Sequence, residues 1–158
     1  MIRSAHITDI TSAVELVSLF IEEYVSHSLV YTEHDGVLDQ RANRIRLQNM
    51  VLEWIKNHYV VIAFDEEAQA QGIMAAVRES NYWDPDIKIL REIAWYVKPE
   101  YRRSRLSAEL FLRWSQDTDD LIKRKVVDHV CISMPHGHET VSLNKRGWQP
   151  LEQHWIKG

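Results

Sequence analysis

Three closely spaced arginines, Arg102, Arg103 and Arg105, lie in the segment VKPEYRRSRLSAELF. An apolar run ends at Pro99 and an amphipathic stretch follows the arginines, so they fall where a strand would end and a helix begin. The first turn of a helix leaves backbone N–H groups without intrahelical partners, and such groups bind anions, phosphate above all. Arginine adds forked donors that suit phosphate oxygens. The spacing therefore predicts a phosphate site, and the alternative is a solvated basic turn.

The composition limits where such a site can lie and what kind of protein carries it. The chain has 158 residues, of which 45% are hydrophobic and 27% charged, which predicts one globular domain over residues 1–158. Its net charge is -4, so an anion site has to be local. Cys131 is the single cysteine, which excludes an intramolecular disulfide. No stretch approaches the ~20 apolar residues of a membrane span, and we expect a soluble cytoplasmic protein without a membrane partner.

Hydrophobic periodicity predicts a strand and two helices in the first third of the chain. Residues 1–6 could form a short strand, and Thr8 could cap a helix whose apolar positions recur from Ile10 to Tyr24. Residues 26–38 then form a connection. A second helix carries Leu47, Val51, Trp54 and Ile55 on one face.

Strands dominate the middle of the chain. The β-branched runs His58–Phe64 and Gln71–Arg78 predict a hairpin that turns at Asp65–Ala70. The loop Ser80–Asp86 precedes a longer strand, Ile87–Val97. On that strand we expect one shared face for Ile87, Ile89, Ile93, Trp95 and Val97.

A crossover and a second α/β pair complete the pattern. The next helix has an apolar stripe formed by Leu106, Leu110, Phe111 and Trp114. A strand at Val126–Met134, a short helix at His138–Arg146 ended by Gly147, and a strand at Trp148–Ile156 follow. The predicted order is β-α-α-β-β-β-α-β-α-β, a mixed central sheet flanked by helices of the α/β (α+β) class.

This order, with a strand that ends in V-x-P-E-Y-R, resembles the GNAT (GCN5-related) N-acetyltransferase superfamily over nearly the whole chain. In that family (Q/R)-x-x-G-x-(G/A) follows the proline; here Arg102 matches, whereas Arg105 and Ser107 replace the glycines. The ending SLNKRGWQPLEQHW is similar to the family's last helix, glycine-aromatic turn and final strand. The glycine-poor loop also resembles that of GNAT-like bacteriophage proteins.

The resemblance implies acetyl-CoA as co-substrate and assigns its contacts. The pyrophosphate would lie on the loop and helix start formed by Arg102, Arg103, Ser104, Arg105, Leu106 and Ser107. The pantetheine arm would follow the backbone of Trp95, Tyr96 and Val97.

The resemblance also implies catalytic roles. Glu92 would take the proton from the acceptor ammonium, because only a neutral amine can attack the thioester. The alternative is a surface strand residue paired with Arg91 or Lys88. The family's tyrosine acid is replaced by Leu143, which cannot donate a proton, so the thiolate leaves unaided or receives a proton from His138 or Ser142.

The acceptor site is implied more loosely. Tyr31 and His34 lie in the connection between the first two helices, which borders the acceptor site in this fold, and Trp83 could form a wall of that site. His136 and His138 could be metal ligands, but we identify no third ligand near them in the sequence, so we expect no metal.

The favoured function is an acyl-CoA-dependent N-acyltransferase that moves an acetyl group to an amine acceptor, and a homodimer is compatible with it. A catalytically weakened GNAT-fold binding or regulatory module is the alternative, favoured by the missing tyrosine and glycines. Nucleic-acid binding through the loop arginines and Lys123–Lys125 is disfavoured by the acidic total charge.

Overall fold

The computed structural model describes residues 1–25, 40–133, 143 and 147–149. Its strands are β1 (Ile2–Ser4), β2 (Tyr59–Phe64), β3 (Ala70–Ser80), β4 (Lys88–Val97) and β5 (His129–Cys131). Its α-helices are α1 (Ile10–Phe20), α2 (Gln40–Asn57) and α3 (Leu106–Lys123). Shorter helical turns are the 3-10 turns Ile7–Asp9 and Pro99–Tyr101 and the π-helical turn Ile21–Val25. No helix in these ranges is long and apolar enough to cross a membrane.

The strands form one mixed sheet in the order β1-β2-β3-β4-β5. The first four are antiparallel neighbours, and β5 lies parallel to β4 because α3 carries the chain back across the sheet. The predicted mixed fold and element order are thereby confirmed through β5. That strand is shorter than predicted, and most of the last predicted helix and strand (138–146 and 148–156) lies outside the described residues.

Helices cover both faces of the sheet. On one face, α1 and α2 bury Ala13, Leu16, Val17 and Val51 against alternate residues of β2, β3 and β4. On the other face, α3 buries Leu110, Phe111 and Trp114. The predicted apolar faces of α2 and α3 are both confirmed, since each stripe packs on the sheet.

A β-bulge interrupts β4 at Ile93. Ala75 pairs with Ala94, yet its neighbour Ala76 pairs with Glu92, so Ile93 is an extra residue in β4. Ile93 and Ala94 therefore both pack on the α1/α2 side. The predicted shared face for Ile93 and Trp95 is wrong, because period-2 alternation breaks at a bulge.

The start of α1 also differs from the prediction. Thr8 is not its cap; Asp9 directly precedes the helix. The Asp9 carboxylate accepts the His6 amide at 2.7 Å and both terminal nitrogens of Arg3 at 2.7 and 2.9 Å. An ion pair with β1 thus holds Asp9 directly before the helix, and the hydrogen bond from the Arg3 guanidinium lowers the pKa of Asp9 below its usual range.

Candidate functional site

Glu92 is a buried carboxylate at the point where two strands separate. Pairing between β4 and β5 ends at Arg91 and Cys131, and the Glu92 side chain then accepts the Ser133 amide at 3.1 Å. The residue is 6% exposed, and burial raises the pKa of its carboxyl to about 7, although the Ser133 hydrogen bond acts in the opposite direction. A carboxyl with this pKa can hold or accept a proton near neutral pH.

The alternative role of Glu92 as a surface ion-pair residue is wrong. Arg91 instead bonds the carboxylate of Glu79 at 2.7 Å, and the Lys88 ammonium donates to the Pro85 carbonyl at 2.8 Å. The bulge also turns Glu92 to the same side of the sheet as Trp95, since Ala76 and Met74, their partners on β3, both belong to the α3-side core. Strict alternation along the predicted strand would put Glu92 on the face opposite Trp95. That expectation is wrong, because the bulge brings both side chains to one face.

The second half of β4 has a free edge on the β5 side within the described chain, because β5 pairs only with residues 89–91. The three residues predicted to follow the pantetheine arm lie on this stretch. Trp95 stacks on Phe111 with ring centroids 5.5 Å apart, and Tyr96 is buried on the opposite face. The Val97 carbonyl accepts a bond at 2.8 Å from Nε of Arg102.

Arg102 is held by contacts within the protein. Its two terminal nitrogens donate to the Glu23 carboxylate at 2.7 and 2.5 Å, and its guanidinium carbon lies 5.4 Å from the centre of the Tyr96 ring. Together with the bond to Val97, these contacts give each of the three guanidinium nitrogens one acceptor within the protein. Arg102 thus joins the loop after β4 to the π-helical turn after α1.

The rest of the predicted phosphate loop is exposed and lies at the start of α3. Ser104 Oγ accepts the Leu106 amide at 3.2 Å, whereas the amides of Ser107 and Ala108 have no acceptor among the described residues. The Arg103 and Arg105 side chains are exposed there. This arrangement offers two backbone donors and two cations on one helix start.

The backbone of Arg105, which replaces a glycine of the family pattern, is not strained. Its φ of -73° and ψ of -6° lie in the right-handed helical region, which any L-residue adopts. Within the described chain only Ala68 and Lys125 have positive φ among non-glycine residues, and neither lies in the loop. The loop geometry thus tolerates arginine where the family has glycine.

A cavity of about 280 Å³ lies beside this loop on its β2–β3 side. Its lining combines the Arg105 side chain with the carboxylates of Asp65 and Glu109. Because it carries charges of both signs, this cavity does not form an anion site by itself.

An apolar cavity of about 250 Å³ lies on the other face of the sheet, at the bulge. Its lining residues come from α1, the π-helical turn, α2, β3 and β4. They are Val17, Phe20, Ile21, Met50, Trp54, Val77, Ile93 and Ala94.

Other predicted site residues lie elsewhere. Trp83 is 87% exposed in the β3–β4 loop, in edge-to-face contact with Tyr82, and lines neither cavity. Leu143, at the position of the missing tyrosine, packs against the α3-side core. The remaining candidates lie outside the described residues; they are Tyr31, His34, His138 and Ser142.

The sequence analysis did not single out two residues of this region. Glu23 holds Arg102 across 79 positions of sequence, and no local signal marks the pair. Gly72 lies under α3, where an added Cβ would stand 2.9 Å from Leu110 Cδ1 and 3.1 Å from the Tyr96 carbonyl oxygen. A glycine inside a strand is a recognised sign of close approach, so its role was detectable.

Comparison with solved structures places this fold among acetyltransferases. An aminoglycoside 6'-N-acetyltransferase from Acinetobacter baumannii superposes with a TM-score of 0.62 at 15% identity, over 100% of this chain and 96% of that one. A ribosomal-protein-alanine N-acetyltransferase from Brucella melitensis biovar Abortus 2308 gives 0.60 at 9% identity, over 100% and 99%. A possible acetyltransferase from Clostridium difficile 630 gives 0.64 at 14% identity, over 99% and 98%.

No family model matches the sequence, and no curated protein matches it significantly. At identities this low the superpositions establish the fold alone. They extend over the full length of the chain and include the strand separation and the helix start described above. The chain therefore has the GNAT fold of these acetyltransferases, as its sequence pattern predicts.

Proposed function

We propose that this protein is an N-acetyltransferase that moves an acetyl group from acetyl-CoA to an amine. The observation that carries the proposal is Glu92, a buried carboxyl with a pKa of about 7 where β4 and β5 separate. A protonated amine has no lone pair with which to attack a thioester, so this reaction needs a base that works near neutrality. The shared fold of the acetyltransferases supports the same reaction class.

In the proposed reaction, the Glu92 carboxylate takes a proton from the acceptor ammonium. The freed amine nitrogen bonds to the thioester carbonyl carbon, the carbon–sulfur bond breaks, and coenzyme A leaves as a thiolate. The nitrogen loses its second proton as the amide forms, and this proton passes to solvent or to the departed thiolate. A thiol has an ordinary pKa of about 8.5, so the thiolate is a tolerable leaving group without an acid. The placement of Leu143 against the core is consistent with departure unaided by that residue.

The chain offers a matching set of contacts for the co-substrate. The free edge of β4 at residues 95–97 would accept the pantetheine amides, and the amides of Ser107 and Ala108 would face the pyrophosphate. Because each guanidinium nitrogen of Arg102 already donates a bond within the protein, we assign the phosphate contacts to the exposed Arg103 and Arg105. Arg102 then supports the loop from behind.

Two measurements test the proposal. Coenzyme A release with a panel of amines should show turnover, and Glu92→Gln should lower it about 10²-fold or more with unchanged acetyl-CoA affinity. Glu66→Gln, which removes an exposed carboxylate in the β2–β3 turn, is the control. Turnover that survives Glu92→Gln would show that the base is another group or water.

Calorimetric titration with acetyl-CoA tests the loop separately. Each charge-assisted hydrogen bond contributes roughly 1.5–3 kcal/mol, so Arg105→Ala should weaken binding about tenfold or more. Arg124→Ala, an exposed arginine just beyond the other end of α3, is the matched control. Equal affinities of the two variants would remove Arg105 from the phosphate site.

The second candidate is a GNAT-fold binding module that has lost catalysis. Leu143, which packs against the core at the position of the family's acid, favours it. This candidate predicts acetyl-CoA binding without coenzyme A release for any amine. The two measurements above separate it from the enzyme.

A further inference from the structure

The apolar cavity at the bulge differs in chemistry from the cavity beside the arginine loop, whose lining carries charges of both signs. All eight side chains that line it are uncharged and apolar. Its volume of about 250 Å³ corresponds to roughly eight water molecules at the ~30 Å³ each occupies in the liquid. A cavity lined in this way gives water few hydrogen-bond partners, so an apolar guest fills it more favourably.

Two residues of the cavity wall directly follow the proposed base in the sequence. Ile93 and Ala94 form part of its wall, and Glu92 is the residue immediately before them. The bulge makes this possible, since it sends two consecutive side chains to the α1/α2 side while Glu92 points to the other face. A ligand bound in the cavity would thus contact the two residues of β4 that follow Glu92, on the face of the sheet opposite the Glu92 side chain.

The walls combine a fixed part and an adaptable part. Val17 and Ala94 are fully buried, whereas Met50 and Ile21 are partly exposed at the rim. Methionine is flexible and polarisable and fits irregular apolar guests, and Trp54 supplies an aromatic surface. The rim residue Ile21 belongs to the π-helical turn that the Glu23–Arg102 pair ties to the cofactor loop.

A cationic guest would find no compensation on the described walls of this cavity. Moving a charged ammonium out of water is costly unless an opposite charge or several hydrogen bonds replace its hydration, and none of the eight lining residues offers a carboxylate. Glu23, on the same π-helical turn, is already paired with Arg102. The walls formed by the described residues therefore favour an uncharged apolar group over a group with several cationic charges.

From these observations we infer that the acceptor is an amine that carries an uncharged apolar group, aryl or branched alkyl, and that this group occupies the cavity between α1, α2 and the β4 bulge. The inference rests on the proposed acetyl transfer and specifies its acceptor class. The amine end would leave the cavity past the edge of β4 beyond Arg91, where β5 no longer pairs, and would reach Glu92 on the other face through this strand separation.

Acceptor preference is the first test. Coenzyme A release should give a kcat/KM for 2-phenylethylamine at least tenfold above those for ethylamine and spermidine. Met50→Glu places a charge at the rim and should lower the 2-phenylethylamine preference about tenfold. Ile45→Glu, the same change on an exposed position of α2 that does not line the cavity, should leave it unchanged. Equal kcat/KM values for the three amines, or a preference for spermidine, would overturn the inference while acetyl transfer stands.

A binding test works without any turnover. The NMR resonance of the Trp54 indole N–H, assigned with Trp54→Phe, should shift on titration with 2-phenylethanol, which has the apolar group and no amine. Ala94→Leu fills the cavity from the strand and should abolish the shift, and Met50→Glu should weaken it if the first variant fails to fold. No shift in the wild-type protein would overturn the inference. A shift in a protein that acetylates none of the amines would support the cavity assignment and reject the proposed enzyme.

Discussion

Replacement of Glu92 by glutamine should change how the stability of the protein depends on pH. Burial raises the pKa of this carboxyl from its ordinary 4.5 to about 7, so the folded state keeps the proton that the unfolded chain releases. The protonated carboxyl contributes its full amount to the free energy of unfolding below pH 4.5, and this contribution is lost as pH rises through about 7. The two pKa values differ by about 2.5, and each unit corresponds to about 1.4 kcal/mol. The folded wild-type protein should thus lose about 3 kcal/mol of unfolding free energy by pH 8 relative to a chain without this group.

Urea unfolding at pH 5 and pH 8 measures this effect. The difference in unfolding free energy between Glu92→Gln and wild type should move in favour of the variant by about 2–3 kcal/mol between the two pH values, because glutamine does not ionise. All other titrating groups are common to both proteins and cancel. Glu66→Gln, in the exposed turn, should show no such movement. Parallel pH profiles for wild type and Glu92→Gln would refute the reasoning, since they would mean that Glu92 titrates alike in the folded and unfolded chain.

Three other substitutions test neighbouring parts of the site. Glu23→Gln should lower the free energy of unfolding by under about 1 kcal/mol in urea, because the ion pair is about a third exposed. Since Arg102 would lose part of its support of the loop, acetyl-CoA affinity should fall about threefold or less in calorimetry. A higher affinity would contradict this role of the pair. Gly72→Ala should lower the unfolding free energy by about 1–3 kcal/mol, since its Cβ would overlap Leu110; an unchanged urea midpoint would show that α3 shifts freely. Leu143→Tyr should lower the free energy of unfolding by about 1–3 kcal/mol, because the larger side chain overpacks the core. It should leave the rate of coenzyme A release nearly unchanged. A large gain in rate would show that the leaving thiolate needs an acid.

The sequence by itself determined the elements and their order through β5. The apolar stripe of α2 through Val51 and Trp54 and the hairpin of β2 and β3 are local patterns, and a local pattern needs only the neighbouring chain to be recognised. Pro99 and the arginines after it likewise marked the junction between β4 and α3. The GNAT resemblance followed from this order, and the superpositions confirm the fold.

The candidate site was only partly predictable, and the reason is long-range contact. The burial of Glu92 depends on a bulge that no residue type indicates, so its raised pKa could not be seen in the sequence. Its hydrogen bond from the Ser133 amide, 41 positions away and just after β5, could not be seen either. Arg102 looked like a free phosphate ligand until tertiary structure paired it with Glu23. The apolar cavity exists only because α1, α2 and β4 meet at the bulge. Charge state, availability of donors and the shape of a cavity are set by neighbours distant in sequence, and these only the tertiary structure decided.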